Sequence, residues 1–260
     1  MSCLVCSSAH TDLKFFKSKI EYFLCSDCGA VYCEHIPASL ILTENSDPDG
    51  RAELDRQEIR IERIHAALGR RTRSLLDFGC GRGAFVDFAR SQGIESLGVD
   101  QHTKLQLPDL AGKLFDAMTV IEVIEHLPDP VSTFGQLVSL LRPDGVIYGE
   151  SSFVDFFPDI REAPYIDPAI GHRCVFSRKA VGLLASRFSL ETTWLNNNVF
   201  LLRHPAPLRL RVLNTAKAGL ALLRRRNGAA LNWRRKASRI RGAVDFGSGD
   251  DSPGDGLRAR

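Results

Sequence analysis

No apolar run among the 260 residues is long enough to cross a bilayer, and the N-terminus shows no basic-then-apolar leader pattern. A spanning helix and a secretory leader are therefore not expected, and a cytoplasmic location is. Disulfides are not expected either, because the cytosol keeps thiols reduced. The seven cysteines need another explanation; five lie within the first 33 residues, while Cys80 and Cys174 stand alone. Acid is missing from one long stretch. Between Arg203 and Val244 there are twelve Lys or Arg and no Asp or Glu, whereas residues 1–202 are acidic overall, so the net charge of +3 conceals a split.

The remaining composition is ordinary, with 44% hydrophobic and 25% charged residues, enough to bury a full core. One main domain with a small appendage is expected.

Cys3-x2-Cys6 and Cys25-x2-Cys28 form two pairs with eighteen residues between them. Four thiolates at this spacing suit tetrahedral zinc, as in a zinc ribbon over residues 1–43. Gly29 lets the chain turn past the metal. With four protein ligands the site is closed, hence structural. A metal-free remnant and a redox pair compete with this reading, but no thioredoxin-like strand–helix–strand pattern surrounds either pair.

Glu44 to Gly50 is polar and turn-rich and reads as a linker. Residues 51–68 place Leu54, Ile61, Ile64 and Leu68 at helical spacing, predicting a lead-in helix against the main domain. The next stretch, LLDFGCGRGAF, reads as a buried strand over Ser74–Phe78, a glycine turn, and a helix over Gly83–Gln92 with Phe85, Phe88 and Ala89 inward. Gly79, Gly81 and Gly83 would let the backbone touch a ligand that a Cβ would push away. A second strand, Ser96–Val99, ends in Asp100, twenty-three residues after Asp77, where a carboxylate can accept both hydroxyls of a ribose. Gly79-x-Gly81-x-x-Ala84 fits a dinucleotide fingerprint. Asp77 argues otherwise: a carboxylate directly before the loop repels a pyrophosphate and suits a cation. S-adenosylmethionine offers an ammonium, a sulfonium and a ribose, and no phosphate.

FDAMTVIEVIEHLPDP, Phe115 to Pro130, reads as a strand ending in acids and then a turn; LLRPDGVIYGESS, Leu140 to Ser152, reads as a helix end, a Pro-Asp-Gly turn and another strand. At this point the sequence resembles the class I S-adenosylmethionine-dependent methyltransferases, of the type with an N-terminal CxxC…CxxCG ribbon, an EHLPDP segment and an LRPDG turn. The resemblance covers roughly residues 1–203. It implies a Rossmann-like α/β sandwich over residues 51–203, of seven strands or a reduced set. It also implies that Asp77, Gly79, Cys80, Gly81 and Gly83 hold the methionine part, that Asp100 and Gln101 hold the ribose, and that Glu122 borders the methyl group. The Cys80 side chain reads as packing, and Cys174 is given no role.

One feature departs from that type. Only fourteen residues separate Asp100 from Phe115, too few for the usual helix and third strand. The third strand is expected to survive only as Lys104–Leu107, with Asp109 a stand-in for the adenine contact.

For the chemistry, His126 lies just beyond the fourth strand and His172 in the acceptor-shaping region. Either can serve as a base, being titratable near neutrality. Glu122-x-x-Glu125-His126 with a downstream His172 is also similar to the metal-binding set of small-RNA 2′-O-methyltransferases. Ubiquinone-pathway O-methyltransferases share its first part. That similarity implies a second, divalent metal at Glu122, Glu125, His126 and His172.

Phe176–Phe188 reads as a helix, and Leu190–Trp194 with Asn198–Leu202 as a closing hairpin. Residues 204–244 read as a basic amphipathic helical segment. Within it, residues 208–241 suit the surface of an anionic membrane better than nucleic acid, because residues 1–202 are acidic; a solvated helix docking on its own domain is an equal alternative. Residues 245–260 read as disordered by composition. The leading functional expectation is methyl transfer from S-adenosylmethionine to a small molecule, such as a sugar or lipid-linked intermediate. The alternatives are an RNA methyltransferase and a non-catalytic ribbon protein with a degenerate cofactor site.

Overall fold

The computed structural model describes residues 2–41 and 51–205, which belong to one compact unit. The expectations for the linker and for residues 208–241 and 245–260 lie outside the described residues. Among the described residues no helix is long and apolar enough to cross a membrane.

The chain begins with three strands, β1 (Thr11–Lys17), β2 (Ile20–Cys25) and β3 (Val31–Tyr32). After α1 (Arg51–Leu68) come β4 (Ser74–Phe78), α2 (Ala84–Ser91), β5 (Glu95–Val99), β6 (Phe115–Ile121), α3 (Pro130–Ser139) and β7 (Leu141–Glu150). The last elements are β8 (Cys174–Val175), α4 (Arg178–Arg187), β9 (Glu191–Trp194) and β10 (Val199–Arg203).

The main sheet has six strands in the order β5-β4-β6-β7-β10-β9. The four strands β5, β4, β6 and β7 run parallel, and β10 closes the sheet antiparallel to both β7 and β9. Covered on both faces, β6 is buried from Phe115 to Val120, as a central parallel strand must be. Alternation along each strand divides the core. Leu75, Ala117, Val146 and Leu201 meet Ile61 and Ile64 of α1 and Phe85 and Ala89 of α2. Leu76, Met118, Ile147 and Leu202 meet Phe134 and Leu137 of α3 and Val181 and Leu184 of α4. Asp129 caps α3 ahead of Pro130, accepting from Ser132 N, and Ser177 caps α4, accepting from Ala180 N.

Several expectations need correction. Leu54 is 53% exposed on α1, whereas Ile61, Ile64 and Leu68 pack inward as expected. The Pro-Asp-Gly turn is absorbed into β7 as an irregularity opposite Phe115 and Ala117. No third parallel strand forms at Lys104–Leu107. Asp100 N–H and its carbonyl are both tied to the Thr103 hydroxyl, and Gln106 Nε2 donates to the Asp100 and Thr103 carbonyls. These bonds fold the chain back directly after β5, and the next element is a 3-10 turn over Leu107–Leu110.

The cysteine-bearing segment is not a detached appendage. Its sheet runs β1-β2-β3-β8, so the last strand comes from beyond β7. Cys3, Cys25, Cys28 and Tyr32 share a core cluster with Met118 and Phe176.

Candidate active site

Three left-handed glycines shape the loop after β4: Gly79 at φ 81°, Gly81 at φ 52° and Gly83 at φ 87°. At Gly79 a Cβ would collide with Val123, so glycine is required by packing as well as by φ. At Gly81 and Gly83 a Cβ would meet nothing within 4 Å, which leaves the outer side of the loop open. Gly79 N and Cys80 N both donate to the Val99 carbonyl, at 2.7 and 3.2 Å. Cys80 turns its sulfur onto Gly98, where a Cβ would not fit, and so packs against β5.

Asp77 is buried beneath this loop and accepts from Thr119 Oγ1 of the neighbouring strand at 2.6 Å. Burial raises its carboxyl to about 6. Asp100 stands at the end of β5; its Oδ2 accepts from Gly81 N and its Oδ1 from His102 N, each at 3.1 Å. Gln101 beside it is exposed, with Nε2 3.1 Å from His102 Nε2. Asp109, suggested for the adenine, instead uses Oδ2 to accept from Gln106 N at 2.9 Å and closes the 3-10 turn.

Glu122 follows β6 at φ 51°, a left-handed conformation unusual for a residue with a side chain, and its N–H donates to the Glu150 carbonyl. Its Oε2 lies 2.9 Å from the Tyr165 hydroxyl, which is also hydrogen-bonded to Glu125 Oε1 and lies 3.0 Å from Ser151 Oγ. Ser151 Oγ donates to the other Glu125 oxygen at 3.2 Å. One hydroxyl proton thus faces two carboxylates, and Glu125 is fully buried. Burial first, and then the Glu122 charge, push Glu125 up to about 8. A cation close by would favour the ionised form of Glu125.

Two imidazoles adjoin it. His126 Nδ1 lies 3.1 Å from the Gly171 carbonyl, and His172 Nδ1 lies 2.6 Å from the Tyr165 carbonyl. A carbonyl accepts only, so each Nδ1 carries the proton and each Nε2 presents a lone pair. His172 Nε2 is 3.9 Å from Glu125 Oε1. Burial lowers His172 to about 4, which keeps it neutral. One ligand atom from each of Glu125, His126 and His172 lies within 4.8 Å of the others, and Glu122 stands outside this group. Neutral imidazoles with backbone-fixed tautomers and a buried carboxylate are a donor set for a divalent cation.

Beside Glu122 a cleft of about 260 Å³ is bordered by Arg56, Ile59 and Arg63 of α1, and by Glu150, Asn198 and Val199. Arg60 of α1 donates to both oxygens of Glu150, at 3.1 and 2.7 Å, and to Glu53. A larger open groove, lined by residues of α4 and β9, contains none of the candidate site residues. Tyr165 and Arg60 were not singled out from sequence. Tyr165 lies in an irregular stretch with no periodic signal, and Arg60 is one charged residue among many on α1.

In the N-terminal segment the sulfurs of Cys3, Cys6, Cys25 and Cys28 all lie within 4.8 Å of one another. Cys3 and Cys28 are 3.6 Å apart and Cys6 and Cys25 3.5 Å, well beyond the ~2.0 Å of a disulfide. A tetrahedron with ~2.3 Å metal–sulfur bonds has edges of ~3.8 Å. The hydrogen bond from Cys3 and burial drive the Cys28 thiol far up, so four thiols this close need a cation to ionise together.

Part of the chain is similar to known proteins. A ubiquinone biosynthesis O-methyltransferase of Alkalilimnicola ehrlichii is 29% identical over 38% of this chain and 51% of its own length. One from Xanthomonas axonopodis pv. citri is 32% identical over 35% of this chain and 47% of its own. The chain thus spans about half the length of the curated relatives it matches. The crystal structure of Streptomyces venezuelae DesVI overlays with a TM-score of 0.47 at 15% identity, over 60% of this chain and 93% of that one. Residues 52–193 match the family described as methyltransferase domain. Because that match covers more than half of the sequence and contains the glycine loop, Asp100 and Glu122, the chain belongs to the methyltransferase-domain family.

Proposed function

We propose that this chain transfers a methyl group from S-adenosylmethionine to an oxygen of a small-molecule acceptor. The observation that carries the proposal is the shared edge of β4, β5 and β6. There the open glycine loop lies between buried Asp77 and Asp100, and Glu122 stands over the adjoining cleft. S-adenosylmethionine, when bound, supplies an electrophilic methyl group. Asp77 would attract the ammonium, Asp100 would accept from the ribose hydroxyls, and Gly81 and Gly83 would admit the chain of the ligand without a Cβ in its way. The protein then has to align the acceptor, exclude water and remove a proton.

Glu125, His126 and His172 would hold a divalent cation whose charge favours an acceptor alkoxide. Glu122, exposed at the cleft, is then the group placed to take the acceptor's proton. Without a cation, the bare Nε2 of His126 takes that role. Metal titration separates the two. Manganese binding that is lost in Glu125→Gln supports the first, and equal binding by wild type and variant removes it.

Cys3, Cys6, Cys25 and Cys28 would hold structural zinc. Purified protein should contain one zinc, and Cys25→Ser should lose it; a zinc-free, folded wild type would contradict this. The narrower acceptor class, a sugar or lipid-linked intermediate met at a membrane surface, rests on the ribbon-bearing resemblance and on the basic sequence of residues 208–241. Deleting residues 208–260 should then abolish binding to anionic liposomes, and unchanged binding would reject that part.

A further inference from the structure

The cysteine hairpin and the acceptor half of the site are joined by a short series of hydrogen bonds centred on Arg173. Its backbone N–H donates to the Glu125 carbonyl at 2.8 Å, and its own carbonyl accepts from Cys33 N at 2.9 Å. Its guanidinium donates to the Glu34 carbonyl. His172 precedes it directly. The next two residues, Cys174 and Val175, form β8 and pair with Tyr32 and Val31 of β3. A two-residue strand has too few ladder bonds to persist alone. Its position therefore depends on pairing with β3, and His172, whose ring is held by the Tyr165 carbonyl, lies two residues before it. Two further bonds fasten the same region. Ser177 Oγ donates to the Cys28 carbonyl, and Arg187 Nη2 donates to the Cys6 carbonyl at 2.7 Å. Both acceptors belong to candidate zinc ligands, so the segment that follows β8 is tied directly to the metal centre.

The glycine loop is held differently. Gly79, Cys80 and Gly81 bond to Val99 and Asp100, within the β4–β5 half of the main sheet.

We propose that the four-cysteine hairpin is a positioning element of the acceptor half of the site. Acting through Arg173, it holds His172 and Glu125 in register, and loss of its metal loosens them while leaving the glycine-loop half intact. Arg173 is the positioning residue. The proposal rests on the zinc reading above for its metal dependence and, for the Arg173 side chain, on the guanidinium bond to the Glu34 carbonyl that fixes the backbone bonds to Glu125 and Cys33.

The test uses the full chain in two arms. In the first, zinc is withdrawn with a chelator and restored, while hydrogen–deuterium exchange is followed over residues 165–177 and 75–84. The affinity for S-adenosylhomocysteine is measured in parallel. Exchange over 165–177 should accelerate about tenfold or more and recover with zinc, and that over 75–84 and the affinity should stay within about twofold. In the second arm the cysteines remain intact. Arg173→Ala should shift the ¹⁵N signals of the His172 imidazole with zinc still bound, and Arg173→Lys, which keeps a donor for the Glu34 carbonyl, should return them toward wild type.

The proposal is overturned if chelation leaves 165–177 unchanged, if both segments lose protection equally, or if Arg173→Ala leaves the His172 signals in place. Zinc-free purified protein would remove the zinc reading, and a lack of S-adenosylhomocysteine binding the cofactor reading. Each is separable from the Arg173 result.

Discussion

The imidazoles of His126 and His172 meet edge to face, with ring centroids 4.5 Å apart at an interplanar angle of 71°. They come from opposite sides of the site, one just after β6 and the other just before β8. Each is oriented by a carbonyl from the 165–171 stretch, Gly171 for His126 and Tyr165 for His172. This relationship makes the pair a fixed feature of the fold rather than two independent surface histidines.

The pair predicts metal affinity. Manganese binding, measured by calorimetry, should weaken about tenfold or more in His172→Ala, because one of three donors is lost. S-adenosylhomocysteine binding should be unaffected. Equal manganese binding by the variant would assign His172 to packing alone.

Asp100 joins the two cofactor-facing turns and is the ribose acceptor of the account. Asp100→Ala should raise the dissociation constant for S-adenosylhomocysteine about tenfold or more, since charge-assisted hydrogen bonds contribute about 1.5–3 kcal/mol. An unchanged constant would sink the ribose assignment.

Asp77 predicts a pH dependence. Burial raises its carboxyl to about 6 in the ligand-free fold, above its unfolded value of about 4. Its contribution to ligand-free stability is thus full below about pH 4 and is lost as pH rises through about 6. Binding an ammonium group needs the ionised form, so cofactor affinity runs the other way. It should fall about tenfold for each pH unit below 6, and level off above it. Asp77→Asn should bind more weakly and flatten the profile. A wild-type affinity that does not change from pH 5 to 7 would contradict this role.

Gly79 combines a left-handed φ with contact on Val123. Gly79→Ala should destabilise the fold by about 1–3 kcal/mol, read from urea denaturation, and displace the loop enough to weaken cofactor binding. Gly81→Ala meets open space and should cost less stability. The reverse order would refute the packing account of this turn.

Much of the cofactor half was legible in the sequence, because its geometry is local. A strand, three glycines within five positions and an acid at the next strand end specify the turn without reference to distant residues. The hairpin cysteines were legible for the same reason. The acceptor half was not. Tyr165 bridges Glu122 and Glu125 across some forty positions, and Arg173 acquires its role only from pairing with the hairpin. Arg60 reads as a solvated charge until α1 lies against β7. The misread third strand at Lys104–Leu107 has a local cause: Thr103 and Gln106 bond back to Asp100 and turn the chain away from the sheet. Alternation of side chains alone carries no trace of those bonds.

The most direct test of the central claim is calorimetric titration of the purified chain with S-adenosylhomocysteine at pH 7.5. The account predicts one site per chain with a dissociation constant on the order of micromolar, near −8 kcal/mol. No binding up to millimolar ligand would contradict it.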